Sequence, residues 1–328
     1  MTITVLSSLD PRIPSWNKED MVEIPCPVCE CDNASSIATR ADGLVVNKCR
    51  RCGLLYVSPR PSDSALKEFY ARYSETHQRV NYQDDNYWFE IYLSRYGFLK
   101  GNPRMYFLKH MNIDVKGKRI LDVGCGNSGF LFLCKNHGAG HVVGIEPDKR
   151  MAEAATNRLG LNVYAGYIDD LPEDERQFDL VVLWDVLEHI AFPRELLTRI
   201  REVLAPDGCV AATSPNADSV KREGIQWTGF KVDFDHICYY GRDSARYLLE
   251  SCGFHLEAIV PFAWPCSYSK SCNNKKSRRR VIRGFVAASK VPLIEVILGR
   301  LASITGVLEN VGRNSQGEYV LYMLARKK

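Results

Sequence analysis

The stretch that decides the fold is Leu121-Asp122-Val123-Gly124-Cys125-Gly126-Asn127-Ser128-Gly129. It lies between the apolar run RILDVG, which is typical of a buried strand, and the helical run GFLFLCKNHG. Glycines at such a turn let the backbone approach a ligand closely, because no side chain stands in the way. The G-x-G-x-x-G spacing alone is a weak signal, since dinucleotide-binding proteins place a similar turn after their first strand.

Strands and helices alternate downstream of this turn. HVVGIE, LNVYAG, FDLVVLWD, CVAATSPN, GFHLEAIVP and EYVLYMLARKK predict six further strands, with helix-forming sequence between most of them. This alternation predicts a parallel sheet covered by helices on both faces. Glu146 ends the second strand, where a carboxylate can accept hydrogen bonds from both ribose hydroxyls of a nucleoside.

Four motifs in order then carry a family resemblance: D-V-G-C-G-x-S-G, G-I-E-P-D, F-D-L-V-V-x-x-D-V-L-E-H-I, and L-x-P-D-G followed by S-P-N. Over about residues 118–260 and the final strand they resemble class I S-adenosylmethionine (SAM)-dependent methyltransferases, and most closely the subgroup that includes ubiquinone-pathway O-methyltransferases. The resemblance implies an α/β fold with a Rossmann-like, seven-stranded, doubly wound sheet. It also implies methyl transfer from SAM to a small-molecule acceptor: a hydroxyl of a sugar, quinone precursor or natural-product intermediate, or alternatively a carbon.

The resemblance also implies a set of SAM-binding residues. Asp122, Gly124 and Gly126 would hold the amino-acid end of SAM, and Glu146 would bind the ribose. The chain near Tyr167 and Ile168 would cradle the adenine, although relatives often carry an acidic residue where Tyr167 stands. The full predicted set is Asp122, Gly124, Cys125, Gly126, Glu146, Pro147, Ile168 and Asp185.

Asp185, Glu188 and His189 follow the fourth strand, and one helical turn would bring them to one face. His189 could act as a general base toward the acceptor. Alternatively, the three could hold a divalent cation such as Mg²⁺, as the resemblance suggests, or Glu188 and His189 could simply fix the loop. Asp185 and His236 complete the candidate catalytic residues with His189; His236 could bind the acceptor, act as a base or make a structural hydrogen bond.

Two C-x-x-C pairs, Cys26 with Cys29 and Cys49 with Cys52, predict a closed, four-thiolate structural Zn²⁺ site. Cys31 is a fifth thiol nearby. Redox-active pairs are the alternative, but the helix that starts at such a motif in thioredoxin-like proteins is missing from the pattern. The segment resembles the front end of methyltransferases from sugar and natural-product pathways.

The second functional hypothesis is a nucleic-acid role. In this hypothesis the chain is an RNA-modifying protein, or a non-catalytic protein that binds SAM or nucleic acid, and it uses the cysteine segment, which is predicted to be a zinc ribbon. Residues 21–58 carry only four Lys and Arg, few for binding phosphates. The sequence after the fourth strand is Asp185-Val186-Leu187-Glu188. It differs from the Asn/Asp-Pro-Pro-Tyr/Phe motif that base N-methyltransferases have at this position. Nucleic acid is therefore an unfavoured partner.

The organisation predicted from these patterns is a zinc ribbon at 21–58, an aromatic helical linker or lid at 62–112, and a methyltransferase domain at 113–328 with a helical insert at 262–316. Residues 258–294 contain eight Lys and Arg and no Asp or Glu. Their charge of +8 is twice the net charge of the whole chain, which is +4. Residues 270–308 could therefore contact an anionic membrane peripherally, or the insert could be a buried helix with a solvated basic loop. The N-terminal sequence lacks the features of a secretory signal, so the expected location is cytoplasmic.

Overall fold

The computed structural model describes residues 16–76, 84–85, 87–88, 91, 102–231, 234–262 and 319–328. The chain divides into two compact units: the first comprises Met1–Gln83, Asp114–Phe262 and Glu318–Lys328, and the second comprises Asp84–Ile113 and Ala263–Gly317. Apart from Phe262, the predicted insert 262–316 lies outside the described residues, and so does the stretch 270–308. The membrane hypothesis and the predicted domain boundaries stay predictions.

The strands are numbered in chain order. They are β1 Met21–Val22, β2 Ala34–Thr39, β3 Val45–Cys49, β4 Leu55–Val57, β5 Arg60–Pro61, β6 Arg119–Val123, β7 His141–Glu146, β8 Asn162–Ala165, β9 Phe178–Trp184, β10 Leu204–Pro215, β11 Cys238–Tyr239, β12 Phe254–Phe262 and β13 Val320–Lys327. The α-helices are α1 Asp63–Ala71, α2 Tyr73–Thr76, α3 Pro103–His110, α4 Gly129–Asn136, α5 Lys149–Leu159, α6 Pro193–Val203, α7 Val220–Glu223 and α8 Arg242–Ser251.

The main sheet has seven strands in the order β12-β13-β10-β9-β6-β7-β8. The expected α/β class and strand number are confirmed. The expected parallel sheet is found except at β13, which runs antiparallel to both β10 and β12. Alternating sequence predicts strands but does not encode their direction, and mixed sheets are common among doubly wound folds. The central strand β9 is apolar along nearly all its length because both faces are covered.

The helices of this sheet begin and end as their sequences favour. Asp148 caps α5 by accepting hydrogen bonds from the backbone N–H groups of Arg150 and Met151, and the helix is followed by its C-cap Gly160, with φ +61°. Helix α6 begins with Pro193, which has the backbone angle that a first helical position needs. Its buried residues recur every three or four positions and form one apolar face: Pro193, Leu197, Ile200 and Val203.

A smaller antiparallel sheet contains the cysteine segment. Its order is β11-β4-β3-β2, so that three strands come from residues 34–57 and the fourth, β11, comes from much later in the chain. Strands β1 and β5 form a separate two-stranded ladder. Helix α1 follows, with Ser62 Oγ accepting a hydrogen bond from the backbone N–H of Ala65.

The described part of the second unit contains α3, which begins after Asn102. The side chain of Asn102 accepts hydrogen bonds from the backbone N–H groups of Arg104 and Met105. In the same unit the rings of Tyr87 and Trp88 meet edge to face, with centroids 5.3 Å apart. No helix in the described residues of either unit has the length and apolar character needed to cross a bilayer.

Candidate active site

The glycine turn after β6 is held in a left-handed backbone conformation. Gly124, Gly126 and Ser128 have φ of +68°, +53° and +57°. A Cβ atom added at Gly124 would lie 2.8 Å from Cγ2 of Val186, closer than carbon atoms can pack. Both the backbone angle and the space therefore require glycine at position 124.

Glu146 connects this turn to the end of β7. Its Oε2 accepts a hydrogen bond from the backbone N–H of Gly126 at 2.9 Å, and its Oε1 accepts one from the N–H of Asp148 at 3.0 Å. Burial raises the pKa of Glu146 to about 7. A carboxylate oxygen can accept more than one hydrogen bond, so both oxygens retain capacity for ribose hydroxyls.

The other predicted SAM-binding residues, around Gly126 and Glu146, differ in how exposed they are. Asp122 and Ile168 are buried, and Pro147 is half-buried beside Glu146. The thiol of Cys125 packs against the face of the sheet at Gly144, where an added Cβ would meet it at 2.6 Å. Only the backbone of Cys125 is therefore placed for ligand contact, and its N–H already donates to Ile145 O at 3.1 Å.

Asp185 is exposed after β9, with φ +58°. The hydroxyl of Thr213 donates to Asp185 Oδ1 at 2.8 Å and accepts from the N–H of Asp185 at 2.9 Å. This reciprocal pair fixes the carboxylate at the carboxyl edge of the sheet, where ligands of such folds bind.

Helices α1 and α2 lie across this same edge. The hydroxyl and the N–H of Ser74 donate to Asp148 Oδ2 at 2.5 and 2.7 Å, and Glu75 pairs with Arg150. The ammonium of Lys67 lies 5.8 Å from the ring centre of Tyr167, which is the predicted adenine neighbour. The described start of the aromatic segment therefore covers the region that holds Glu146 and Tyr167.

Glu188, His189 and His236 form a second cluster, in which one ligand atom from each lies within 4.8 Å of the others. Glu188 is fully buried, and the Ser214 side chain is a polar neighbour of its carboxylate. Burial and then the charge of Asp185 raise the pKa of Glu188 well above its usual range. The rings of His189 and His236 lie edge to face, 4.6 Å apart.

This cluster differs from the predicted trio because His236 replaces Asp185. Mg²⁺ prefers an octahedron of oxygen ligands, so two imidazoles and one carboxylate fit it poorly. A softer divalent ion would suit such a set better. The Mg²⁺ suggested by sequence therefore finds no support in the arrangement.

Two residues that sequence reasoning missed hold His189. Its Nδ1 lies 3.3 Å from Oδ2 of the buried Asp235 and 2.9 Å from the hydroxyl oxygen of Tyr70. The Asp235 carboxylate favours a proton on Nδ1, which leaves Nε2 as the acceptor of a further proton. Asp235 directly precedes His236 in D-F-D-H, but nothing in the sequence singles out Tyr70 from its aromatic neighbours.

The four predicted metal-binding cysteines are brought together by two similar turns. The N–H of Glu30 donates to Cys26 O at 2.8 Å, and the N–H of Gly53 donates to Cys49 O at 3.1 Å. Both residues that follow a pair, Glu30 and Gly53, have left-handed backbones, with φ +58° and +77°. The two pairs thus adopt the same tight knuckle despite their different sequences.

The sulfur positions fit a tetrahedral Zn²⁺ site. Cys26 Sγ lies 3.5 Å from Cys52 Sγ, and Cys29 Sγ lies 3.4 Å from Cys49 Sγ. A zinc ion with bonds of about 2.3 Å requires sulfur–sulfur distances of about 3.8 Å, so only a small outward shift is needed. Cys31 is outside this group of four.

Comparisons with known proteins agree with the domain type. Residues 99–259, just under half of the chain, match a family model described as a methyltransferase domain. A ubiquinone biosynthesis O-methyltransferase from Coxiella burnetii is 29% identical over 112 residues, which cover 33% of this chain and 47% of the relative. The same-named protein of Neisseria meningitidis is 32% identical over 110 residues, covering 31% of this chain and 46% of the relative.

The chain thus spans about half the length of these curated relatives. Among solved structures, a SAM-dependent methyltransferase from Mesorhizobium loti aligns with 17% identity and a TM-score of 0.44. That alignment covers 70% of this chain and all of the other.

Proposed function

We propose that this chain, which contains a methyltransferase domain over residues 99–259, transfers a methyl group from SAM to a hydroxyl of a small-molecule acceptor. The observation that carries the proposal is the Glu146 carboxylate, fixed on the N–H of Gly126 beside a turn that admits no side chain at position 124. This arrangement suits a nucleoside whose ribose binds the carboxylate and whose neighbouring part lies against bare backbone.

SAM, when bound, supplies a methyl group on an electrophilic sulfonium. The chain's own residues then need to orient the acceptor and take its proton as the oxygen–carbon bond forms. His189 is suited to accept that proton at Nε2, because Asp235 and Tyr70 occupy the Nδ1 side. The Asp235 carboxylate stabilises the imidazolium that results, as a buried carboxylate does beside other catalytic histidines.

Binding is tested first, by calorimetry on the full zinc-loaded chain titrated with SAM and with its demethylated product. Heat of association with both is the expected result. No heat with either ligand on folded protein would overturn the proposal.

The acceptor class is tested by incubation with tritiated-methyl SAM and either a small-molecule extract or bulk nucleic acid. Label in the small-molecule fraction is expected, whereas label in nucleic acid would favour an RNA-modifying role. In the labelled fraction, His189→Gln is expected to slow transfer by about 10²-fold or more while SAM still binds, because only proton removal is lost.

A further inference from the structure

Arg40, which directly follows β2, is buried and points out of the cysteine segment toward a later loop. Its Nη1 donates to His236 O at 2.5 Å and to the hydroxyl of Tyr239 at 2.8 Å, and its Nη2 donates to Phe234 O at 2.5 Å. Asp42 neutralises the guanidinium through an ion pair that is equally buried. One side chain therefore holds the backbone on both sides of Asp235.

The backbone makes a second link between the same two regions. Strand β11 pairs with β4 as the fourth strand of the small sheet. Just before it, Ile237 O accepts a hydrogen bond from the N–H of Val57, and the N–H of Ile237 donates to Glu188 O, both at 2.9 Å. A continuous hydrogen-bonded path thus runs from the cysteine segment through Ile237 to the turn that carries Glu188 and His189.

A shared apolar cluster is the third link. Side chains from β2, β3 and β4 pack with buried aromatic residues that come after β10: Ala38, Val46, Leu55 and Val57 with Trp227, Phe230 and Tyr239. The ring centres of Trp227 and Tyr239 lie 5.6 Å apart. If the fold around the cysteines were lost, the aromatic side chains under this loop would therefore lose the small-sheet residues that they pack against.

We infer that the metal-binding ribbon, acting through Arg40, positions the loop 234–239 and with it Asp235 and His236. Arg40 is a positioning residue: it reaches no reacting atom itself but fixes the carboxylate that orients His189. Cys49 pairs with Ala34 at the end of β2 opposite to Arg40, so the β2–β3 pair joins the four cysteines to Arg40. Zinc bound by those cysteines would therefore control the acceptor side of the site. The SAM side, at Gly124 and Glu146, lies at the ends of other strands and does not depend on Arg40. The inference rests on the proposed function for its catalytic meaning.

Hydrogen–deuterium exchange of the full chain tests the link, with Arg40→Gln and Arg40→Lys as variants. Arg194→Gln is the matched control, because Arg194 Nη1 donates to Val28 O in the first knuckle but not to the loop. We expect exchange across 234–240 to rise by about tenfold or more in Arg40→Gln, less in Arg40→Lys, and not in Arg194→Gln. Wild-type protein stripped of zinc by a chelator should show the same local rise.

Diethyl pyrocarbonate supplies a second readout on the site itself. His236 is buried and His255 is exposed, so the reagent should modify His236 slowly in wild type and faster in Arg40→Gln, with His255 unchanged as an internal control. SAM affinity measured by calorimetry should stay within about threefold of wild type in Arg40→Lys, because the SAM-side residues keep their contacts.

Unchanged exchange at 234–240 in both Arg40 variants, or an equal rise over the strands β6 to β10, would overturn the inference. Failure of wild-type protein to bind SAM would instead overturn the proposed function and leave the exchange result standing. The two failures are therefore distinguishable.

Discussion

The hydroxyl oxygen of Tyr70 lies 2.9 Å from Nδ1 of His189, 119 residues further along the chain. Tyr70 belongs to α1, and His189 follows the central strand β9. Burial raises the pKa of Tyr70 well above its usual range, so its hydroxyl stays protonated. With a proton on Nδ1 of His189, the hydroxyl oxygen accepts from that N–H, and the hydroxyl itself donates to Asp235 O at 3.4 Å. Helix α1, which precedes the residues that match a methyltransferase family model, thus contributes directly to the surroundings of the candidate base.

Tyr70→Phe should lower the free energy of unfolding by about 0.5–1.5 kcal/mol, because it removes one buried hydrogen bond and leaves the ring in place. Urea denaturation measures this change. Tyr73→Phe is the matched control, because the Tyr73 hydroxyl donates its hydrogen bond to Asp235 Oδ2, at 3.3 Å, rather than to His189. Faster diethyl pyrocarbonate modification of His189 is expected only in Tyr70→Phe, and equal rates in the two variants would contradict the assigned contact.

Gly124→Ala should abolish measurable SAM binding and destabilise the fold. The left-handed backbone alone costs an alanine about 1–2 kcal/mol, and the approach to Val186 adds steric strain. Gly160→Ala serves as the control, because Gly160 also has positive φ, at +61°, but has nothing within 4 Å of an added Cβ. We expect Gly160→Ala to cost about 1 kcal/mol with normal SAM affinity. Equal affinities for SAM in the two variants would show that the turn is not the binding site.

SAM affinity should depend on pH through Glu146. Its ligand-free pKa of about 7 lies above the usual value for glutamate, whereas ribose hydroxyls bind the ionised form. Affinity is therefore expected to be flat above pH 7 and to fall by about tenfold per pH unit well below it, with proton release on binding. Calorimetry in buffers of different ionisation enthalpy measures that release. Glu146→Gln should bind weakly and without this pH dependence, and a flat profile in wild type would contradict the assignment.

The raised pKa of Glu146 also makes the free energy of unfolding depend on pH, in the opposite direction to SAM affinity. The folded state binds the Glu146 proton more tightly than the unfolded state, so the contribution to stability is complete below the unfolded pKa of about 4.3. It is lost as pH rises through about 7.

Cys29→Ser should lose bound zinc and unfold at lower temperature, because a closed tetrahedral site needs four protein ligands and Cys29 supplies one of them. Cys31→Ser is the matched control two residues away, since Cys31 lies outside the group of four. Elemental analysis and thermal denaturation give the two readouts. Retention of zinc by Cys29→Ser would contradict the assignment of Cys29 as a required ligand, and loss of zinc from Cys31→Ser would show that Cys31 is a ligand.

The order of elements around Gly124 and Glu146 could be predicted from sequence because each signal is local. A buried strand, a glycine that tolerates left-handed backbone and a carboxylate at a strand end all leave a mark within a few residues. The two C-x-x-C pairs carry the same kind of local information, and the structure brings their sulfurs together.

The rest could not be predicted because it depends on residues far apart in sequence. Arg40 looks like a surface cation in the sequence, yet it is buried against residues 234–239. Asp185 fits a helical-turn pattern with Glu188 and His189, but the left-handed backbone at Asp185 breaks that pattern and His236 takes its place. The direction of β13 is likewise a property of its partners β10 and β12, not of its own residues.

The apolar cluster that joins Val46 and Val57 to Trp227 has a consequence for how this protein can be divided. A fragment that begins after β5 would expose Trp227, Phe230 and Tyr239 to water on one side, and large apolar patches of this kind promote aggregation. The segment from β1 to β5, residues 21–61, is therefore not a detachable module. Fragments for crystallisation, chimaeras or transplanted catalytic domains should keep it attached to the loop that it covers.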